Sequence, residues 1–182
     1  VMADHGDLEL LLNREFPPLL AMAERRARDA WPQSFYRELP RNRQTLSPSD
    51  FGFHNARRRP SGELVFFDME YFGWDDPIKL ISDFWWHPGM NLTSQLKQQW
   101  LDQSCLLFAE DPDLSARFHA AHPLFGLRWA LIVLNEFLHT GWGRRAHAQR
   151  EEDLHRDVVL ARQLAKAKQF CQQVKSWLKH NP

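Results

Sequence analysis

Apolar residues recur at helical spacing along most of the chain and alternate only briefly in its first half. Residues 7–30, DLELLLNREFPPLLAMAERRARDA, predict a helix interrupted near Pro17 and Pro18, because proline has no N–H to give and crowds the preceding turn. Residues 31–49 are polar and Pro-rich, a connector with room for a short strand. The clearest strand signal is ELVFFD, residues 63–68. It follows RRRPSG, a turn containing Pro60 and Gly62, so the run from Asn55 to Arg58 is the expected partner strand of a hairpin.

Beyond Pro77 the pattern is helical. DDPIKLISDFWW opens with Asp76 as an N-cap and Pro77 at the first helical position. In NLTSQLKQQWLDQSCLLFAE, Leu96, Trp100, Leu101, Leu106 and Leu107 keep helical spacing. DPDLSARFHAAH reads as a short helix, PLFGLRWALIVLNEFLHTGW as a separate, strongly apolar one, and REEDLHRDVVLARQLAKAKQFCQQVKSWLKH as a long amphipathic one. The predicted class is mainly α with a small β-hairpin (α+β). One hairpin cannot form a core, so helix must pack on helix with the hairpin on the surface. No repeat or low-complexity tract interrupts the pattern.

Composition narrows the functional classes. A chain of 182 residues suits one domain with its own core, and a single domain over 1–182 is expected. Lys plus Arg equals Asp plus Glu, 23 against 23, which argues against a general nucleic-acid binder. The two cysteines, Cys105 and Cys171, are too few for a disulfide framework and lie in no zinc-type pair. The chain has no apolar run of about 18 residues and no N-terminal signal pattern. A cytoplasmic protein with neither membrane nor nucleic-acid partner is expected.

The chemistry gathers in LSPSDFGFHNARRRPSGELVFFDMEYFGWDDP, from Leu46 to Pro77. Asp50 is followed five positions on by Asn55, and the expected hairpin ends in Asp68. A hairpin brings the start of one strand near the end of the other, so Asn55 and Asp68 converge. Phosphoryl transfer needs a carboxylate to orient the attacking hydroxyl and oxygen ligands for Mg²⁺, and these residues supply such a set.

The spacing Asp50-x4-Asn55 resembles the catalytic loop of eukaryotic-like kinases. FFDMEYFGWDDP resembles the metal-binding segment of the aminoglycoside phosphotransferase and choline kinase-like family. The resemblance covers 46–88 most specifically, with 89–182 as the accompanying helical part. It implies the large C-terminal lobe of a protein-kinase-like fold, with Asp50 as catalytic base or orienter and Asn55 and Asp68 as Mg²⁺ ligands. Glu70, two residues past Asp68, would assist near the metal or substrate. Asp83 would brace the loop by accepting its backbone N–H groups. ATP would be the co-substrate, and a small hydroxylated molecule (an aminoglycoside, choline, ethanolamine or a relative) the acceptor.

Two features depart from that pattern. Pro48 stands two before Asp50, where the family usually carries a supporting His. No Gly-rich phosphate loop and no strand Lys precedes the site, so the small nucleotide-binding lobe is absent from these residues and the isolated chain is expected to be inactive. A pseudokinase-like helical binding module is the alternative.

Weaker candidates surround the stretch. Asp75 lies at the expected cleft edge. Trp85 and Trp86 could meet a cationic substrate by cation–π contact, although core packing for one and partial exposure for the other is the plainer expectation. Glu136, in an apolar helix, is either a satisfied carboxylate or a substrate contact. His155 to Asp157 spell HRD, but Arg162 occupies the position that would need Asn, so this is a solvated helix face. Gly141 to Ala146, GWGRRA, reads as an interhelical loop, since no strand precedes it. His119 and His122 share a helix face without further zinc ligands.

Overall fold

The computed structural model describes residues 5–30, 36–138 and 156–181. It is mainly helical, with two small antiparallel strand pairs.

Helix α1 (His5–Leu10) runs through a π-helical turn (Leu11–Glu15) into α2 (Phe16–Ala30). The predicted interruption at Pro17 and Pro18 is a change of hydrogen-bond register rather than a break. The N–H of Phe16 bonds back to the Leu11 carbonyl, five residues away, and the prolines fall in the first turn of α2. Their missing donors coincide with the switch from π to α pairing, which absorbs the loss.

The expected hairpin forms from β2 (Ala56–Arg58) and β3 (Leu64–Phe66), with Ala56 opposite Phe66 and Arg58 opposite Leu64. Gly62 takes φ +91° in its turn, a conformation that side-chain-bearing residues rarely adopt. The connector does contain a strand, β1 (Thr45–Ser47). Its partner, β4 (Gly73–Asp75), was not foreseen, and Ser47 pairs with Gly73.

Helix α3 (Pro77–Trp86) starts as its sequence predicts: Asp76 Oδ1 accepts the N–H of Ile78 at 3.0 Å and Pro77 fills the first position. Helix α4 (Ser94–Leu107) is capped by Thr93. The two helices expected on either side of Pro123 are one, α5 (Leu114–Val133), with the proline inside it. Phe118, His122, Leu127, Trp129 and Ala130 are all buried, so the helix is covered on most sides. That burial outweighs the one backbone hydrogen bond that Pro123 removes. Helix α6 (Arg156–His180) buries Leu160, Leu164, Ala167, Cys171 and Val174, the stripe of an amphipathic helix. No helix among the described residues is long and apolar enough to cross a membrane.

The chain forms two compact units. One joins the chain up to Arg25 with the chain from Gly126 onward, and the other spans Arg26–Phe125. The second holds every candidate site residue except Glu136. Its core contains Ile78, Ile81, Phe84, Trp86, Leu101 and Phe118.

Candidate functional site

The loop leaving β1 alternates anchored and open residues. Phe51 packs on Phe66 at 4.8 Å and Phe84 at 5.6 Å between ring centroids, and Phe53 meets Phe84 edge-on at 5.8 Å. These contacts tie the loop to β3 and α3. Asp50, between the anchors and β1, keeps its side chain 40% exposed.

Asn55 is buried and turned toward Asp50. Its Nδ2 donates to the Asp50 carbonyl at 3.1 Å and to Asp50 Oδ2 at 3.2 Å. The amide nitrogen is thus committed to Asp50, and Oδ1 remains as an acceptor. The N–H of Phe67 donates to the Asn55 carbonyl at 3.0 Å, which places Asn55 across from Phe67 and one residue from the position opposite Asp68. Asp68 has φ +62°, a left-handed conformation uncommon outside glycine. Asp68 and Glu70 are exposed, with no hydrogen-bond or ion-pair partner among the described residues. An amide oxygen and a carboxylate are both hard oxygen donors of the kind Mg²⁺ takes.

Two histidines that the sequence reading left out complete the surroundings of Asp50. The rings of His54 and His87 stack at 4.1 Å and 9°. Their Nε2 atoms lie 3.2 Å and 3.3 Å from Asp50 Oδ1. Gly52 makes room for this stack: a Cβ there would stand 2.6 Å from His54 Nδ1. Burial, and then the charge of His54, lowers the His87 pKa to about 4 despite the opposing pull of Asp50. His54 was within sight, one residue before Asn55. His87 ends α3, and no local pattern links it to Asp50.

Asp83 is 2% exposed and pairs with Lys79, whose Nζ is 3.2 Å from Asp83 Oδ2 and 3.3 Å from Asp75 Oδ2. The same ammonium donates to Ser49 Oγ at 2.8 Å. Asp83 is therefore linked to the loop through Lys79, and Asp75 shares that cation.

Trp86 is buried and donates its indole N–H to the His122 carbonyl at 3.1 Å, while Trp85 is partly exposed. The cation facing both rings is the chain's own Lys97, 5.4 Å from the Trp85 centroid and 5.8 Å from that of Trp86. Burial lowers the Lys97 pKa. His122 is fully buried and bonds Ser82 Oγ at 3.0 Å, and His119 bonds the Ser115 carbonyl, so each has a structural partner. Glu136 lies in a 3₁₀ turn (Leu134–Phe137) of the other unit. Arg156 and Asp157 open α6 on its exposed face, whereas His155 and the GWGRRA segment lie outside the described residues.

A charged network also escaped the sequence reading. Arg117 forks onto both oxygens of Asp76 and both oxygens of Asp111, and Arg43 bridges Asp111 and Asp113. Burial would raise the Asp111 pKa, but the two arginines outweigh it and hold that carboxyl at about 2. A cavity of about 600 Å³ lies beside the network, lined among others by Arg37, Gln44, Trp74, Asp75 and Ala121. Residues far apart in the chain make this cluster, so no spacing signals it.

No family model, curated protein or solved structure matches the chain.

Proposed function

We propose that this chain carries the phosphoryl-transfer edge of a small-molecule kinase, moving the ATP γ-phosphate to a substrate hydroxyl. The observation that carries the reading is the pair of hydrogen bonds from Asn55 Nδ2 to the backbone and carboxylate of Asp50. One amide thereby sets the orientation of the acid that faces substrate and keeps its own oxygen for the metal side. Asp50 would accept the hydrogen bond of the attacking hydroxyl and take its proton as transfer proceeds. Asn55 and Asp68 would hold Mg²⁺, with Glu70 beside them, and the bound ion would neutralise phosphate charge. Asp83 supports the loop through Lys79 and Ser49.

The same reading assigns nucleotide binding to a Gly-rich lobe that these residues do not contain, so the 182-residue chain alone should bind ATP weakly and transfer little. Exposed Phe67, Met69, Tyr71 and Phe72 beside the site suit a surface that such a lobe would cover. The acceptor is a small alcohol. Because Lys97 already faces Trp85 and Trp86, these rings are not the basis for assigning it a positive charge. The test is Asp50→Asn in the intact gene product: phosphoryl transfer should fall by about 10²-fold or more with nucleotide binding retained. Unchanged turnover would sink the assignment.

A further inference from the structure

We infer that His87 is a positioning residue for Asp50: its ring, held by Gly89, donates the Nε2 proton to Oδ1 and fixes how the carboxylate presents Oδ2. The catalytic meaning of this bond rests on the transfer reading above, but the bond itself does not.

The backbone N–H of Gly89 can only donate, and it points at His87 Nδ1 at 3.0 Å. Nδ1 is therefore the bare nitrogen. In a neutral imidazole the proton then sits on Nε2, and Nε2 lies 3.3 Å from Asp50 Oδ1. The low pKa of His87 agrees with a neutral ring. The His87 side chain is 12% exposed, so the bond is shielded from water on that side.

His54 adds a second N–H to the same oxygen, because an ionised carboxylate only accepts. With Asn55 on Oδ2, three side-chain nitrogens converge on one carboxylate, two of them within 3.3 Å of Oδ1. Oδ2, with only Asn55 on it, is the oxygen left for a further donor. Pro48, two residues before Asp50, has no side-chain donor. Support for Asp50 reaches it instead from across the fold, at the end of α3.

The competing reading is a metal centre. Asp50, His54 and His87 bring three donor atoms within 4.8 Å of one another. Separations of 3.2 Å and 3.3 Å match the edge of about 3.3 Å that a tetrahedral zinc site would have. The outer nitrogen of His87 decides between the two. A metal-bound histidine carries its proton on the outer nitrogen and donates it. Here that nitrogen accepts, so the proton occupies the place a metal would need.

Long-range proton–nitrogen NMR of the histidine rings in the 182-residue protein tests this directly, with His87→Gln for assignment. At neutral pH we expect His87 protonated on Nε2 and bare on Nδ1, unchanged by added Zn²⁺. Protonated Nδ1, or stoichiometric Zn²⁺ uptake that shifts His87, would overturn the inference. In the intact gene product, His87→Gln keeps an N–H near the Nε2 position and should hold kcat within about tenfold. His87→Leu should lower kcat by about 10²-fold with the nucleotide KM unchanged. A His87→Leu enzyme as fast as an active wild type would refute the positioning role. A wild type that transfers no phosphate would overturn the transfer reading alone, and the ring-nitrogen spectrum would still decide the hydrogen bond.

Discussion

Lys79 and Asp83, one turn apart on α3, form an ion pair at 3.2 Å in which the carboxylate is almost wholly buried. The lysine also holds Ser49, the residue before Asp50, which sits at φ +63°. One cation thus neutralises a buried acid and restrains a strained loop. Lys79→Met would take the cation from a buried carboxylate and should destabilise the fold by about 3 kcal/mol. Adding Asp83→Asn should recover part of that loss, because the second change removes the buried charge. A double-mutant cycle by urea unfolding measures the coupling, and strict additivity would show that the pair does not act as a unit.

Asp68 separates metal binding from backbone strain. Asp68→Ala should weaken Mg²⁺-nucleotide binding in the intact gene product, since it removes the open carboxylate proposed to hold the ion; a normal calorimetric titration would count against the metal role. Asp68→Gly loses the same carboxylate but fits φ +62° without a Cβ. It should be more stable than the alanine variant by about 1 kcal/mol, read from unfolding midpoints.

Gly52 matters for space rather than for backbone freedom, because its φ of −178° suits any residue. An alanine Cβ would stand 2.7 Å from His54 Cε1 and 2.9 Å from Met90 Sδ. Gly52→Ala should push His54 off Asp50 and cost about 1–2 kcal/mol from overpacking. Gly52→Ala with His54→Ala should regain stability relative to Gly52→Ala. If the double variant is less stable than the single, the ring is not what fills the space.

Acid should weaken the fold through its buried histidines. Burial, followed by the charges of Lys97 and His119, drives the His122 pKa well below 6.5, and His87 falls to about 4. Both are bases whose protonation the fold resists. Below pH 6.5 the unfolded chain binds protons that the folded one refuses, so stability is full above that pH and declines toward pH 4. The slope should approach about 1.4 kcal/mol per pH unit for each histidine. Urea midpoints between pH 7 and 4.5 should therefore fall, and less steeply in His122→Leu. A flat midpoint across that range would refute the account.

Local chemistry was enough to read several parts of this protein. Asp76 followed by Pro77 starts α3 because a side-chain acceptor and a residue without N–H suit a helix N-terminus. The Pro60–Gly62 turn closes the hairpin, and Asp50-x4-Asn55 falls on one loop because five residues cannot separate far. These interactions join near neighbours, so residue type and spacing are sufficient. The pairing of β1 with β4, the continuity of α5 through Pro123, the Arg117 network and the approach of His87 to Asp50 were decided elsewhere. Strands of three residues carry almost no periodic signal. A proline inside a helix survives only when burial on both sides outweighs its lost hydrogen bond. Lys97 faces Trp85 and Trp86 only because α3 and α4 pack side by side. Contacts between distant residues depend on where the core places them, and the core is a property of the folded chain.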